Sequence, residues 1–172
     1  MVIWFIGLSG SGKTTLASEV LRITRPYCKN LVMIDGDVIR ETFNHDLGYT
    51  LEDRRKNADR VSRMCKFLND QGLHVLSPFL SVFPESRDWN KQYIKDYYEV
   101  YIECPYAHLI ERDPKGLYQK ALRGELKNMV GIDIEFIAPK NPDLVIENTH
   151  ALEYLLSFAP RISQKILENK NL

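Results

Sequence analysis

The sequence has few of the features that stabilise secreted or membrane proteins. Its 172 residues include only three cysteines, Cys28, Cys65 and Cys104, and no two of them form a C-x-x-C pair. An odd, scattered set of thiols argues against a disulfide framework and against a zinc site. No stretch approaches the ~20 apolar residues of a membrane span, and the apolar run at the N-terminus is too short for a signal peptide. We therefore expect reduced thiols, no membrane partner and a cytoplasmic location.

The chain also lacks net charge, internal repeats and low-complexity linkers. Lysine plus arginine number 23 and aspartate plus glutamate number 23, which leaves no bulk positive field to gather a nucleic acid polymer. Any nucleotide partner is expected to be small and locally held. A chain of this length is long enough for one α/β domain with its own core, so we predict a single domain over residues 1–172.

A glycine-rich loop, "GLSGSGKTT" at residues 7–15, is the strongest positive signal. It fits G-x-x-x-x-G-K-[ST] and lies between a strand-like run and a helical pattern, as a phosphate-binding P-loop requires. We predict that Lys13 neutralises β- and γ-phosphate oxygens and that the Thr14 hydroxyl binds Mg²⁺. A plain turn before a helix is the alternative, and it leaves the agreement of loop, lysine and hydroxyl unexplained. The predicted ATP-binding residues of the loop are Gly7, Ser9, Gly10, Ser11, Gly12, Lys13, Thr14 and Thr15.

Strand and helix patterns alternate along the chain, which predicts an α/β fold with a five-stranded parallel sheet covered on both faces. The predicted strands are residues 2–6, 31–35, 73–79, 98–104 and 143–148. The predicted helices are residues 13–24, 52–70, 86–96, 105–123 and a C-terminal pair around Pro160. Ligands of such sheets bind beyond the carboxyl ends of the strands, so motifs at those ends carry the functional interpretation.

The second predicted strand ends in "DGDVIR", which brings two carboxylates to such an end. In phosphoryl transfer one carboxylate can organise Mg²⁺ while another accepts the proton of the attacking hydroxyl. We assign Asp35 to the metal and Asp37 to the base, with Arg40 one turn further on. The same D-G-D pattern is also a common turn that caps a helix, and this alternative stays open.

The predicted helix over residues 52–70 has an apolar stripe with a polar beginning. At 100° per residue, Arg54 and Asn57 continue the stripe of Ala58, Val61 and Cys65, so both point inward and are candidate ligand-binding residues. An internal salt bridge of Arg54 is the alternative. The cations off the stripe are expected to be solvated: Arg55, Lys56, Arg60 and Arg63.

Residues 112–130 carry a row of cations. Lys120, Arg123 and Lys127 are spaced i, i+3, i+7. The first two lie between glycines at positions 116 and 124, and the third follows the second glycine. Such a row suits a helical lid that closes on polyphosphate. A solvated helix face is the alternative that the spacing alone favours.

Taken together, these motifs resemble the adenylylsulfate kinases along nearly the whole chain, through "GLSGSGKTT", "DGDVIR", "LSPF", "RDPKGLY", "GELKN" and "GID". The resemblance implies a three-layer P-loop kinase fold with a lid, and a homodimer. It further implies that the enzyme transfers the γ-phosphate of MgATP to the ribose 3′-hydroxyl of a small nucleotide. It also implies that Asp37 and Lys13 are catalytic and that Arg112 completes the ATP site. The implied acceptor-binding residues are Asp37, Arg40, Tyr49, Arg54, Asn57, Ser77, Pro78, Phe79, Lys127, Met129, Gly131 and Ile132.

Departures from the family pattern cluster on the acceptor side. Tyr49 and Met129 stand where the family has two aromatic residues around adenine, and "LSVFPESRDWN" replaces a short arginine-rich stretch after Phe79. These departures resemble the branch that phosphorylates cytidine diphosphoramidate in capsular polysaccharide modification, and a polarisable methionine suits a pyrimidine. Adenylyl sulfate is the alternative acceptor. A GTPase-type switch or a silent nucleotide-binding module is disfavoured, because no N-K-x-D motif exists and the catalytic residues are retained.

Overall fold

A five-stranded parallel sheet forms the centre of the molecule in the computed structural model, which describes residues 1–149 and 151–169. The strands are β1 (Val2–Ile6), β2 (Leu31–Met33), β3 (His74–Pro78), β4 (Tyr97–Glu103) and β5 (Leu144–Glu147). Their spatial order is β2-β3-β1-β4-β5, and every neighbouring pair is parallel. All five predicted strands are therefore confirmed. The predicted domain end at residue 172 lies outside the described residues.

Helices cover both faces of the sheet. Those before β3 are α1 (Lys13–Thr24), α2 (Gly36–Thr42) and α3 (Leu51–Asp70). Those after it are α4 (Pro84–Tyr93), α5 (Tyr106–Arg112), α6 (Leu117–Leu122), α7 (Leu152–Leu156) and α8 (Ala159–Glu168). None of the described helices is both long enough and apolar enough to cross a bilayer.

Strand β1 divides the core into two layers because its side chains alternate between the two faces. Ile3 and Phe5 pack into the cluster beneath α1 and α8, whereas Trp4 and Ile6 pack into the cluster that α3 covers. Every residue of β1 is buried, as expected for the central strand of a parallel sheet. The predicted three-layer α/β/α architecture is confirmed.

The single helix predicted over residues 105–123 is wrong, because two short helices occupy this range. Pro114 disfavours helical backbone at the preceding residue, and Gly116 adopts φ 64° at the start of α6. The Asp113 carboxylate accepts hydrogen bonds from the backbone N–H groups of Leu117 and Gln119, so it caps the second helix. The motif "RDPKGLY" thus encodes a helix break.

Helix α2 was not among the predicted helices, although the alternative of a helix-capping D-G-D turn agrees with it. It has only seven residues, too few for a clear hydrophobic period, and it begins where Asp35 accepts a hydrogen bond from the backbone N–H of Asp37 at 2.8 Å. Its buried residues include Arg40. The short helix fixes the position of both carboxylates at the end of β2.

Candidate active site

One cavity of about 490 Å³ lies beyond the carboxyl ends of β1, β2 and β3. It joins the phosphate loop to the segments after β2 and β3 and to residues 114–130. The predicted site residues that line it are Ser9, Gly10, Gly12, Lys13, Thr14, Thr15, Asp35, Asp37, Arg40, Tyr49, Arg54, Asn57, Pro78, Phe79, Lys127 and Met129. Most of the residues that the sequence indicated are therefore brought together in one place.

The phosphate loop requires glycine at its last turn for two reasons. Gly12 has φ 97°, which L side chains rarely adopt, and a Cβ there would lie 2.5 Å from a methyl group of Leu155. A Cβ on Gly7 would lie 2.6 Å from the carbonyl oxygen of Ile102. The loop is consequently packed against α7 and β4 as well as curled toward the cavity.

The ammonium group of Lys13 lies inside this loop and donates to the carbonyl oxygen of Leu8 at 2.7 Å. Burial lowers the pKa of Lys13 from its usual value to about 8, while the nearby Asp37 and Asp35 act in the opposite direction. A phosphate in the loop would add negative charge and favour the protonated form further. Lys13 is thus a charge that is poorly compensated until an anion binds.

Thr14 and Asp35 form the candidate metal site. The Thr14 hydroxyl donates to Asp35 Oδ2 at 2.7 Å, so a hydroxyl oxygen and a carboxylate oxygen are adjacent. These hard oxygen ligands suit Mg²⁺, which is usually held by one or two carboxylates and by substrate phosphates. Consistently, no group of three or more His, Cys, Asp or Glu side chains in the described chain forms a cage for a metal. The residues present fit Mg²⁺, the ion that the sequence predicts.

Asp37 makes an ion pair that the sequence did not predict. Its Oδ2 lies 2.6 Å from Nζ of Lys115, in the loop between α5 and α6, and both side chains are exposed. Hydrogen bonding to Asp37 raises the pKa of Lys115. The same region contacts the phosphate loop through the Tyr118 hydroxyl, which donates to the carbonyl oxygen of Ser9 at 2.8 Å. Residues 113–118 therefore bridge the carboxylates and the loop.

Two arginines flank the ring of Tyr49. The guanidinium carbons of Arg40 and Arg54 lie 4.7 Å and 5.3 Å from the ring centroid. Arg40 donates to the carbonyl oxygens of Leu47 and Gly48 at 2.8 Å and 2.6 Å, which fixes the chain before Tyr49. The cluster brings two positive charges and one exposed aromatic ring to the cavity wall.

Arg54 is held by backbone carbonyls. It donates to the carbonyl oxygens of Tyr49 at 3.0 Å and Asn128 at 2.8 Å. No carboxylate forms an ion pair with it among the described residues, so the salt-bridge alternative is not supported. Burial, and next the charge of Arg40, lowers the pKa of Arg54. Its positive charge is therefore free to meet an anionic ligand.

The rest of the α3 stripe lies as predicted. Asn57 is buried and lines the cavity, while Ala58, Val61 and Cys65 are buried in the core. The cations off the stripe point away and pair with acidic residues: Arg55 with Glu85, Lys56 with Glu52, Arg60 with Asp46 and Arg63 with Asp59.

The cationic row over residues 120–127 is not a helical row. Helix α6 ends at Leu122, so Lys127 lies in the following loop and lines the cavity. Arg123 forms an ion pair with Glu125 at 2.8 Å, and neither Lys120 nor Arg123 lines the cavity. The end of α6 therefore separates Lys127, which lines the cavity, from Lys120 and Arg123, which do not.

Several predicted site residues do not line the cavity: Gly7, Ser11, Ser77, Arg112, Gly131 and Ile132. Gly7 and Ser11 belong to the phosphate loop but do not face the cavity. Ser77 is fully buried in β3, where its side chain contacts Cys65 of α3 and does not reach the cavity. Arg112 donates to the Asn148 carbonyl oxygen, and the Gly131 carbonyl accepts from the Tyr106 hydroxyl. The expectation that Ser77 lines the site is therefore not supported.

Sequence analysis missed a second group of lining residues: Gly36, Leu80, Ser81, Val82, Phe83, Pro114, Lys115, Leu117, Leu126, Asn128 and Val130. Most lie in two irregular segments, residues 80–83 and 126–130. Such segments have no periodic pattern, so only their position after a predicted strand end or within the predicted lid could have indicated them.

A parallel sheet in this order, with a phosphate loop after β1 and two carboxylates after β2, defines the P-loop kinase class. Residues 1–147 match the family model described as adenylylsulphate kinase. The chain belongs to the adenylylsulfate kinase family and is a kinase of that type.

Relatives of known activity fall into two groups. The chain is 46% identical over 148 residues to a cytidine diphosphoramidate kinase of Campylobacter jejuni, covering 86% of each chain. It is 42% identical over 147 residues to an adenylyl-sulfate kinase of Clostridium kluyveri, covering 85% of this chain and 74% of the relative. A Mycobacterium tuberculosis APS kinase, solved in complex with AMPPNP and APS, superimposes with a TM-score of 0.84 at 35% identity, covering 96% of each chain. ATP-dependent phosphoryl transfer is therefore common to the relatives, while their acceptors differ.

Proposed function

We propose that this protein transfers the γ-phosphate of ATP to the ribose 3′-hydroxyl of cytidine diphosphoramidate. The observation that carries the proposal is the single cavity that joins the phosphate loop and Asp37 to the acceptor wall of Arg40, Tyr49, Arg54 and Met129. The 46% identity to a cytidine diphosphoramidate kinase supports the choice of acceptor. By analogy, the product would serve capsular polysaccharide modification in the cytoplasm.

On the donor side, the phosphate loop binds ATP. Backbone N–H groups of residues 7–15 and the N-terminus of α1 surround the phosphates. Lys13 neutralises charge that develops between the β- and γ-phosphates. Thr14 and Asp35 would hold Mg²⁺, which when bound supplies charge neutralisation at the phosphate oxygens.

In the transfer step, Asp37 accepts the proton of the 3′-hydroxyl as that oxygen attacks the γ-phosphorus. A bond forms between the 3′-oxygen and phosphorus, and the bond between phosphorus and the β,γ-bridging oxygen breaks. The electron pair of the broken bond stays on ADP, and the proton leaves with Asp37. Lys115 pairs with Asp37 in this structure, so a positive charge lies beside the carboxylate that acts as the base.

On the acceptor side, Arg40, Arg54 and Lys127 bind the anionic groups of the nucleotide. Tyr49 and Met129 lie beside the base. At these two positions, one aromatic ring and one thioether offer less stacking surface than the two aromatic rings of the family pattern, which suits cytosine better than adenine.

Adenylyl sulfate is the second candidate acceptor. The observation that favours it is the close superposition, at 35% identity, on an APS kinase whose structure contains APS. Both acceptors are nucleotides with a small anionic end group, so the two arginines serve either one. Homodimerisation, which the family resemblance implies, belongs to the proposal in both cases.

A parallel kinase assay with both acceptors tests the proposal. Purified enzyme, ATP and Mg²⁺ are incubated with each nucleotide, and ADP release and the 3′-phosphorylated product are measured. We expect the higher kcat/KM with cytidine diphosphoramidate. A higher kcat/KM with adenylyl sulfate would overturn the choice of acceptor, and no transfer to either would overturn the proposed function.

A further inference from the structure

Residues 79–83, which connect β3 to α4, form a buried wall of the cavity, and this wall includes one hydroxyl group. Ser81 lines the cavity, is 2% exposed, and its Oγ has no hydrogen-bond partner among the described residues. Its neighbours Phe79, Val82 and Phe83 are buried apolar residues. A hydroxyl without a partner in such surroundings is costly, so its presence at a cavity wall points to a ligand.

The backbone at Ser81 is held in an unusual conformation by a buried arginine. Ser81 has φ 56°, in the left-handed region that L residues rarely adopt. Arg87 of α4, which is 4% exposed, donates to the Ser81 carbonyl oxygen at 3.0 Å and to the Ile137 carbonyl oxygen at 2.9 Å. Because both carbonyls share one guanidinium nitrogen, Arg87 ties the turn at Ser81 to the segment after residue 134.

A second polar atom without a partner belongs to the same cavity. Asn57 is 1% exposed, and its Oδ1 has no hydrogen-bond partner among the described residues. The side-chain amide oxygen can only accept, so it requires an N–H or O–H donor. Asn57 and Ser81 therefore present two unsatisfied oxygens to whatever fills the cavity.

The chemistry of the cavity restricts what this donor can be. Anionic oxygens of a nucleotide are matched by the donors of Arg40 and Arg54, and the ribose hydroxyls lie at Asp37 when the transfer takes place. The donors that remain on the acceptor nucleotide are its amino groups. Cytidine diphosphoramidate has two, the exocyclic amine of cytosine and the terminal amidate nitrogen.

We propose that Ser81 is a specificity-determining residue that accepts a hydrogen bond from an amino group of the acceptor nucleotide, and that Arg87 positions it. This inference rests on the proposed function, because the amino group is that of the proposed acceptor. It adds to that function a residue that distinguishes acceptors without acting in the transfer step.

Two substitutions at Ser81 and one matched control test the inference. Ser81→Ala removes the hydroxyl, and Ser81→Gly removes it while favouring the left-handed backbone, so the second variant stays folded if the first does not. Ser62→Ala is the control, because Ser62 is also 2% exposed and its hydroxyl also lacks a partner, but it does not line the cavity. We expect both Ser81 variants to lose roughly tenfold or more in kcat/KM for cytidine diphosphoramidate, while the control retains the wild-type value.

Four acceptors identify which amino group is recognised. Cytidine diphosphoramidate is the first. Cytidine diphosphate replaces the amidate nitrogen by oxygen, uridine diphosphoramidate replaces the cytosine amine by a carbonyl, and adenylyl sulfate has an adenine amine and a sulfate end group. The analogue that lacks the recognised amine should be a poor substrate of the wild type, and Ser81→Ala should discriminate against it much less. Loss of discrimination against one analogue supports the inference and names the group.

Other outcomes would overturn the inference. The inference fails if both Ser81 variants keep the wild-type kcat/KM, or if they lose kcat/KM equally with all four acceptors. Either result would mean that the Ser81 hydroxyl accepts no hydrogen bond from an amino group of the acceptor. These results differ from failure of the proposed function, in which the wild-type enzyme itself would not prefer cytidine diphosphoramidate.

The positioning role of Arg87 has a separate readout. Arg87→Met should raise the KM for cytidine diphosphoramidate and reduce discrimination between the analogues, while the KM for ATP is unchanged. Arg87→Lys, which restores one cationic donor, should recover part of the discrimination. A uniform fall in kcat with unchanged KM values would contradict a positioning role.

Discussion

The donor and acceptor halves of the cavity are built in different ways. The donor half is one continuous segment, residues 7–15, whose last three residues form the first turn of α1. The acceptor half combines α2, α3 and two irregular segments, residues 79–83 and 126–130, which are far apart in sequence. A contiguous loop fixes its geometry locally, whereas an assembled wall can change one segment at a time. The family's chemistry is therefore retained in the first half, and its specificity is free to change in the second.

The largest expected effect comes from Asp37, where the two halves meet. Asp37→Asn keeps the shape of the side chain but cannot accept the proton, so kcat should fall by about 10²- to 10⁴-fold. ATP affinity should stay close to that of the wild type, because the phosphate loop is unchanged. Rapid-quench kinetics and ATP titration measure the two quantities. The control is Asp70→Asn, which also breaks an exposed ion pair, with Lys66, but lies far along α3. Near-normal turnover of Asp37→Asn would rule out its role as the base.

The next effect distinguishes charge from shape in the donor half. Lys13→Met should lower kcat by roughly 10²- to 10³-fold and weaken ATP binding, since a charge on the phosphates is lost. The same substitution should stabilise the nucleotide-free protein at pH 7, because burial lowers the pKa of Lys13 from its ordinary value of 10.5 to about 8. At about 1.4 kcal/mol for each pKa unit, the gain is at most on the order of 3 kcal/mol.

The pH dependence of this gain has a defined sign. Between pH 8 and 10.5 the unfolded chain binds more protons at Lys13 than the folded chain does, so the stability of the wild type rises with pH in this window. The advantage of Lys13→Met should therefore shrink as pH is raised from 8 toward 10. Thermal unfolding at several pH values measures it. A stability difference that does not change with pH would contradict the lowered pKa.

The same difference between the halves explains how much the sequence predicted. The strands and the phosphate loop were predicted from hydrophobic runs and glycine spacing, which are local signals. Ser77 was expected at the site, but its side chain is buried against Cys65 of α3. The ion pair of Lys115 with Asp37 was not predicted, because it joins residues 78 positions apart. Contacts of this kind follow from tertiary packing and leave no periodic pattern in the sequence.

A smaller effect is expected from Arg54, which belongs to the acceptor half alone. Arg54→Ala should lower kcat/KM for the acceptor by a factor that corresponds to about 1.5 to 3 kcal/mol, the range for hydrogen bonds to a charged group. The KM for ATP should stay unchanged. Arg63→Ala is the control on the same helix, because Arg63 is exposed and pairs with Asp59. An equal loss of ATP affinity, or unfolding of the variant, would show that Arg54 supports the fold instead of binding the acceptor.

The smallest effect tests whether Met129 helps to set the acceptor base. Met129→Phe adds an aromatic ring at the second position where the family pattern has one, on the cavity that Tyr49 also lines, and an aromatic pair contributes roughly 0.5 to 1.5 kcal/mol beyond burial. Adenylyl sulfate should therefore gain up to about tenfold in kcat/KM relative to cytidine diphosphoramidate. Met129 is 5% exposed and packs with Leu109 and Tyr118, so overpacking by the larger ring would oppose the gain. Met129→Leu, which keeps the volume without adding a ring, is the matched control. If both variants change the ratio of the two acceptors equally, packing at residue 129 sets the preference and aromatic stacking does not.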